Sequence, residues 1–286
     1  MRIDPAVIPY PRISPVAFRV GPVVVRWYGI MYLVGYVVGT QLAKLRSRRG
    51  LWTLTPEDVD SLVAYLLIGM FIGARLVYVT VYDWPAYRAH PLDVFAVWQG
   101  GLSFHGAALG MATACGVFAL RKRLPWLMVI DGLAVCSPPG LFFGRLGNFI
   151  NAELYGRPTT APWAMVFPTD PQHLPRHPSQ LYEALLEGVL LGAALWWLQS
   201  RLARRARATG AFRDGYLGAA FLVGYGLIRF LVEFTREPDV QLGFVLGPFS
   251  MGQLLSSLMI AAGVTLAFVA RARPPRRTTG SVVAEA

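Results

Sequence analysis

The chain has 286 residues, 55% of them hydrophobic and 15% charged, with a formal net charge of +11. A soluble domain carries about 25% charged residues, and several apolar windows here reach the roughly 20 residues that cross a bilayer. The composition therefore sets aside a water-soluble globular domain in favour of an all-α polytopic membrane protein. In that class clustered Lys and Arg reflect topology and anionic lipid, so nucleic acid is not an expected partner.

Residues 1–21 read as an irregular extracytoplasmic arm with Pro5, Pro9, Pro11 and Pro15, and no apolar core of a cleavable signal peptide is visible there. A first span is predicted over 22–43, with Trp27 and Tyr28 suited to an interfacial belt. After a basic loop (Lys44, Arg46, Arg48, Arg49), Thr55-Pro56-Glu57 reads as an N-cap, a first-turn proline and a first-turn acid. The second span, 59–81, contains Gly69 and Gly73 at close-packing spacing and a buried Arg75. A loop is expected over 82–100. The third span, 101–120, carries Ser103 and His105 near its start, and Arg121-Lys122-Arg123 follows as a basic turn.

The fourth span, 126–151, should kink at Pro138-Pro139. Asp131, early in it, is expected to pair with the basic turn. A polar, Pro-rich head segment, 152–178, includes a short strand near Trp163 to Phe167. The fifth span, 179–198, carries Gln180, Glu183 and Glu187 and leads to a basic loop with Arg201, Arg204, Arg205, Arg207 and Arg213. The sixth, 215–234, holds Arg229 and Glu233, and the seventh covers 250–270. The basic tail, 271–286, is expected to be disordered and cytoplasmic. Cys115 and Cys136 lie inside apolar runs without ligand spacing and read as packing residues, so no metal is expected.

Seven spans put the termini on opposite sides. Most of the 27 Lys and Arg residues lie in the loops after spans one, three and five and in the tail. The positive-inside rule then places the N-terminus outside and the C-terminus in the cytoplasm. In this arrangement 22–270 forms one transmembrane domain with a small extracytoplasmic head. His105, Arg145, Asn148, Asn151, Glu153, His177, Glu183, Arg229 and Glu233 all fall at its outer level. Ionisable groups at such depth are costly and are usually paired or functional.

Residues 144–156, Gly-Arg-Leu-Gly-Asn-Phe-Ile-Asn-Ala-Glu-Leu-Tyr-Gly, concentrate these groups. Arg145 has no carboxylate three or four residues away, although Glu153 or Glu183 could reach it in space. Arg229 and Glu233 are one helical turn apart and can pair. Two arginines at one level suit a phosphate, which guanidinium forks bind in bidentate fashion. His105 beside them reads as a candidate base. Ser103 and His105 are two residues apart, hence about 200° apart around a helix, which argues against a serine protease dyad. A structural role for the Arg229–Glu233 pair, and helix-to-helix bonding by Asn148 and Asn151, remain open alternatives.

Several segments together resemble the prolipoprotein diacylglyceryl transferase family. They are 144–156, 27–32 (Trp-Tyr-Gly-Ile-Met-Tyr), 103–106 (Ser-Phe-His-Gly), 176–183 (Arg-His-Pro-Ser-Gln-Leu-Tyr-Glu), 229–234 (Arg-Phe-Leu-Val-Glu-Phe) and 250–253 (Ser-Met-Gly-Gln). The resemblance implies a seven-helix enzyme of the bacterial cytoplasmic (inner) membrane, its active site facing outward. It implies transfer of the diacylglyceryl group of phosphatidylglycerol to the lipobox cysteine of a prolipoprotein signal peptide, with release of glycerol phosphate and no cofactor. His105 matches the family's essential histidine and Arg145 its signature arginine. Arg229 would be a second phosphate ligand held by Glu233. Tyr28, Asn148, Glu153 and Gly156 match positions the family treats as functional. The competing reading is a transporter or flippase of an anionic lipid, which predicts polar residues through both halves of the bundle.

Overall fold

The computed structural model describes residues 8–11, 13–96, 98, 100–237, 244–247 and 249–277. Pro5 and the tail beyond residue 277 lie outside the described residues. The chain is mainly helical. Helix α1 spans Trp27–Arg48 and α2 spans Pro56–Val77, continuing into a π-helical turn Tyr78–Tyr82. A short α3, Trp84–Ala89, precedes α4, Phe104–Arg121. Helices α5, Trp126–Cys136, and α6, Pro138–Ile150, meet at a 41° bend. Helix α7, Ser179–Glu183, runs through a π segment, Ala184–Leu190, into α8, Leu191–Thr209. Then come α9, Tyr216–Val232, and α10, Met251–Ala272.

Three of these helical runs are long and apolar enough to cross a membrane: 56–82, 179–209 and 251–272. The bent α5–α6 pair makes a fourth if it counts as one span, and α9 is a shorter apolar helix. Broad apolar exposure on the helices, for example Phe71, Ile72, Leu109, Leu258 and Phe268, fits surfaces that face lipid rather than water.

Local chemistry explains the boundaries. Thr55 accepts from the Asp58 backbone N–H and Asp58 accepts from that of Thr55, so α2 starts in a capping box behind Pro56. Ser103 caps α4 through the Gly106 N–H, and Ser250 with Gln253 forms a second capping box at α10. Pro138 cannot supply the N–H that would continue α5, and the chain bends there as expected. The Gly69/Gly73 face of α2 lies directly on Gly106 and Gly110 of α4; a Cβ at Gly69 would sit 2.5 Å from the Gly110 carbonyl oxygen. Small residues on both sides let these backbones touch. Buried Arg75 donates to the carbonyls of Asp93, Val94, Gly100 and Gly101, holding the α2–α4 connection against the bundle.

Several boundary expectations need correction. The first helix begins at Trp27, because Val16–Val20 (β1) and Val23–Arg26 (β2) form an antiparallel hairpin turning at Gly21-Pro22. Arg46 is not a loop cation: it is 1% exposed and bonds inside the bundle. The connection 82–100 contains α3 and a 3-10 turn, Pro91–Phe95. Arg201, Arg204, Arg205 and Arg207 ride on α8, which extends to Thr209. The described start of the tail is ordered: Arg276–Arg277 pairs with Ala211–Phe212, and Arg276 binds Asp214. Asp131 does not pair with the basic turn. Its carboxylate accepts the Gly215 and Gly218 N–H groups at 2.7 Å and caps α9, since the unpaired N–H groups of a helix start attract an anion as a cation does.

The head packs on the C-terminal end of α6. Ile8–Pro9 pairs with Met165–Val166, which pairs with Pro175–Arg176, around a buried Phe167. The Tyr10 hydroxyl donates to the Phe149 carbonyl at 2.6 Å, satisfying one of the orphan acceptors at the end of α6. Asp170 and Arg176 form a buried bidentate pair at 2.6 and 3.1 Å, and the guanidinium lies over the Tyr155 ring.

Candidate active site

Three helices bring three arginines and three glutamates to one place. Arg145 projects from α6, Glu183 and Glu187 from α7 and the π segment after it, and Arg229 and Glu233 from the end of α9. Arg236 follows on the turn beyond α9. Glu183 is the hub. Its carboxylate lies 2.5 Å from Arg145 Nε, 3.3 Å from Arg229 Nη1 and 2.6 Å from Arg236 Nη1. Arg229 Nη2 reaches Glu233 at 2.9 Å, confirming the one-turn pair as a contact. Glu233 also lies 3.5 Å from Arg236 Nε and accepts from the Ser250 hydroxyl at 2.9 Å. Arg145 is therefore paired, and its partner is Glu183. Glu187 sits 3.9 Å from Arg145 Nε, and both its oxygens are buried without a hydrogen bond among the described residues.

Burial sets the polarity of this cluster. The Glu183 and Glu187 side chains are fully buried, whereas 19%, 16% and 11% of Arg145, Arg229 and Arg236 remain accessible. Glu183 and Glu187 are the deepest groups, and the accessible part of the cluster belongs mainly to the arginines, although Arg229 Nη1 and Arg236 Nε are themselves buried. Three cations against three carboxylates balance formally, so the arrangement is tolerable at depth, while its exposed edge is cationic. The terminal nitrogens of Arg145 donate no hydrogen bond among the described residues. Such an edge suits a phosphate, whose oxygens accept paired guanidinium N–H bonds.

The turn after α6 forms a second group of polar residues. Ala152 and Leu154 take left-handed conformations, φ +54° and +57°, unusual for non-glycine residues. This reversal turns Glu153 back towards α6, where it accepts from Asn148 at 2.8 Å and from Asn151 at 3.4 Å. Gln180 donates to the Glu153 carbonyl at 2.6 Å, and Ser179 donates to that of Leu154 at 3.0 Å. Thr169 fixes the Ala152 carbonyl. Both asparagines bond Glu153 within their own turn, and Asn148 also meets the Tyr28 side chain of α1, a helix-to-helix contact. Tyr28 packs over Gly147 of α6 and meets the Tyr32 hydroxyl at 3.0 Å.

Gly156 links the head to the arginine cluster. Its N–H donates to the His177 carbonyl at 2.8 Å, and it bridges to Arg236. A Cβ at this position would overlap the Thr235 carbonyl and lie 2.8 Å from the His177 side chain. The strand carrying Arg236 can pass only because residue 156 is glycine. His105 stands apart. It is exposed on the first turn of α4, with Nδ1 3.5 Å from the Tyr82 hydroxyl, and makes no contact with the arginine cluster among the described residues. Ser103 is buried and caps α4 through the Gly106 N–H.

Arg236 was missed in the sequence, although Arg229, Glu233 and Arg236 continue a spacing of i, i+4, i+7. An apolar groove of about 270 Å³ is lined by Pro138, Phe142, Phe143, Gly188, Val189 and Trp196 among others. Phe142 is one turn before Arg145 and Gly188 follows Glu187, so the groove is formed by the same helices that carry Arg145 and Glu187.

Comparison with known proteins places the chain among relatives. The model of the family described as prolipoprotein diacylglyceryl transferase matches residues 15–269. A Bordetella parapertussis protein named phosphatidylglycerol–prolipoprotein diacylglyceryl transferase is 49% identical over 269 residues, covering 94% of this chain and 99% of that one. Proteins of the same name from Azospirillum brasilense and Coxiella burnetii are 47% identical over 270 residues and 48% identical over 255 residues. These alignments cover 93% and 89% of this chain, and 98% and 94% of the respective relatives.

Proposed function

The chain belongs to the prolipoprotein diacylglyceryl transferase family, and on that premise we propose that it moves the diacylglyceryl group of phosphatidylglycerol onto the thiol of a prolipoprotein lipobox cysteine. The cysteine thiol loses its proton, the thiolate attacks the glyceryl carbon, a C–S bond forms and the C–O bond to phosphate breaks. Glycerol phosphate leaves with the bonding pair. Attack requires the thiolate, and departure requires stabilisation of charge developing on the phosphate.

The observation that carries this reading is the cationic edge of Arg145, Arg229 and Arg236 against buried carboxylates. Arg145 and Arg229 hold the headgroup phosphate, and Glu233 orients Arg229. The apolar groove formed by the helices that carry Arg145 and Glu187 suits an acyl chain. Tyr28, Asn148 and Glu153 shape the wall of the headgroup pocket, and Gly156 admits the strand that carries Arg236. His105 is the proposed general base, acting from the exposed first turn of α4 on a thiol that enters between α4 and the arginine edge. No cofactor is invoked.

The topology proposed with this function has seven spans, adding α1, α4 and α9 to the longer apolar helices. The N-terminus and head lie outside, and the C-terminus lies in the cytoplasm of a bacterial inner-membrane protein. The support is the clustering of Lys and Arg at one end of the helices. The test is release of glycerol phosphate from phosphatidylglycerol by purified protein, with a lipobox peptide and with its Cys→Ser counterpart. Release that depends on the cysteine, with a thioether on the peptide, supports transfer. Lipid movement without bond cleavage would support a flippase instead.

A further inference from the structure

A second polar site lies at the other end of the bundle. Arg46 is eighteen residues beyond Tyr28 on α1, about 27 Å at 1.5 Å per residue. Its side chain is buried, yet no carboxylate lies within ion-pair distance among the described residues. It donates from Nε to Gln199 at 2.9 Å, and from Nη1 to the Gly132 carbonyl at 2.7 Å and to Cys136 Sγ at 3.4 Å. Its guanidinium lies over the Trp52 ring, 5.3 Å from the centroid. Nη2 donates to nothing among the described residues.

Arg46 lines a cavity of about 60 Å³ together with Trp52, Arg207, Asp131, Asp214 and Arg276. That space would hold roughly four waters at 15 Å³ each, or one phosphate-sized group. Both carboxylates are already engaged: Asp131 by the Gly215 and Gly218 N–H groups, and Asp214 by Arg276 at 3.1 and 3.3 Å. Arg207 makes no ion pair or hydrogen bond among the described residues. Two cations without anionic partners therefore share one small cavity, and one of them is held there by a fixed set of neutral acceptors. Arg207 is solvent-exposed, but the burial of Arg46 is costly without a counter-charge.

We infer that this cavity binds a phosphate-bearing anion, remote from the transfer site and independent of it. The anion is either free phosphate or the headgroup phosphate of a lipid in the leaflet at this end of the helices. Arg46 supplies a preorganised guanidinium, and Arg207 closes over the anion from α8. Bound there, the anion ties α1, α5 and α8 together where Gln199 and Gly132 already meet Arg46.

The test uses intact protein in phosphatidylcholine nanodiscs, with labelled inorganic phosphate as the probe. An Arg145→Gln background weakens the contribution of the arginine cluster, and its remaining cations, Arg229 and Arg236, are common to the proteins compared. Binding that persists in Arg145→Gln but weakens about tenfold or more in Arg207→Gln, whose exposed side chain has no bond to lose, supports free phosphate as the ligand. Absence of phosphate binding, with nanodiscs containing phosphatidic acid raising the melting temperature of Arg145→Gln but not of Arg145→Gln/Arg207→Gln, supports the lipid source. If neither probe distinguishes proteins that keep Arg207 from those carrying Arg207→Gln, the inference is overturned. Arg46→Gln, where it folds, should match Arg207→Gln in either arm.

Discussion

Glu183→Gln is the sharpest perturbation of the arginine cluster. Glutamine preserves the volume and can still accept a hydrogen bond, but it removes the charge that faces Arg145, Arg229 and Arg236 at 2.5, 3.3 and 2.6 Å. The local balance changes from three against three to three cations against Glu187 and Glu233. The charge-assisted hydrogen bond from Arg236 Nη1, worth about 1.5–3 kcal/mol when one partner is charged, weakens, and the ion-pair contacts of Arg145 and Arg229 lose their anion. Removing one member of a buried ion pair costs about 3–5 kcal/mol, so the expected destabilisation is of that size, a large share of a typical 5–15 kcal/mol. Unfolding in mixed micelles, followed by tryptophan fluorescence, measures it. Thioether formation on a lipobox peptide should fall by about 100-fold or more, equivalent to roughly 2.7 kcal/mol. Arg236→Gln added to Glu183→Gln restores the charge balance and should recover at least about 1 kcal/mol of stability without recovering full activity. A double variant no more stable than Glu183→Gln would refute the claim that this carboxylate offsets the cluster's positive charge.

The Arg229–Glu233 contact at 2.9 Å predicts non-additivity: a double-mutant cycle with Gln at both positions should give a coupling of about 0.5–3 kcal/mol, and additive losses would argue against it. Gly156→Ala should displace the Thr235–Arg236 strand and reduce activity by about tenfold or more, whereas Gly116→Ala, which meets no neighbour within 4 Å, should not; equal effects would remove Gly156 from the site. His105→Gln tests the proposed base, and near-normal thioether formation would exclude it. In the head, burial pushes the Asp170 carboxyl up, but the Arg176 bonds and two backbone N–H groups outweigh it and hold it below its ordinary value. Its contribution to stability is therefore complete above the ordinary carboxylate range near pH 4 and lost as pH falls through the lowered native value. Asp170→Asn should flatten that part of the acid transition, as measured by hydrogen exchange of the head between about pH 2 and 5.

The helices were legible where apolar length and local caps acted alone: Thr55-Pro56, the Gly69/Gly73 face and the Pro138 bend all stand where the sequence places them. Errors arose where distant backbone decided the outcome. The run Val23–Arg26 is as apolar as a span, but Gly21-Pro22 between two β-branched stretches forms a hairpin turn. Asp131 reads from the sequence as a partner of nearby cations, but its partners are N–H groups of a helix start more than eighty residues away. Arg46 looked like loop charge because Gln199 and Gly132, which bury it, are remote in sequence. In the site, Arg145, Arg229, Glu233 and the 144–156 turn were legible as expensive polar groups in apolar surroundings. The hub role of Glu183 was not, since it depends on the meeting of α6, α7 and α9. The separation of His105 from the cluster was not legible either, since it depends on where α4 packs, against Gly69 and Gly73 of α2.

The most direct test is phosphatidylglycerol affinity, measured by titrating the lipid into protein held in phosphatidylcholine nanodiscs, for the unmodified chain, Arg145→Ala and Arg229→Ala. If these arginines hold the headgroup phosphate, each variant should bind at least about tenfold more weakly, the loss of roughly one charge-assisted bond, while retaining the helical content of the unmodified chain. Folded Arg145→Ala and Arg229→Ala proteins that bind phosphatidylglycerol with unchanged affinity would contradict it.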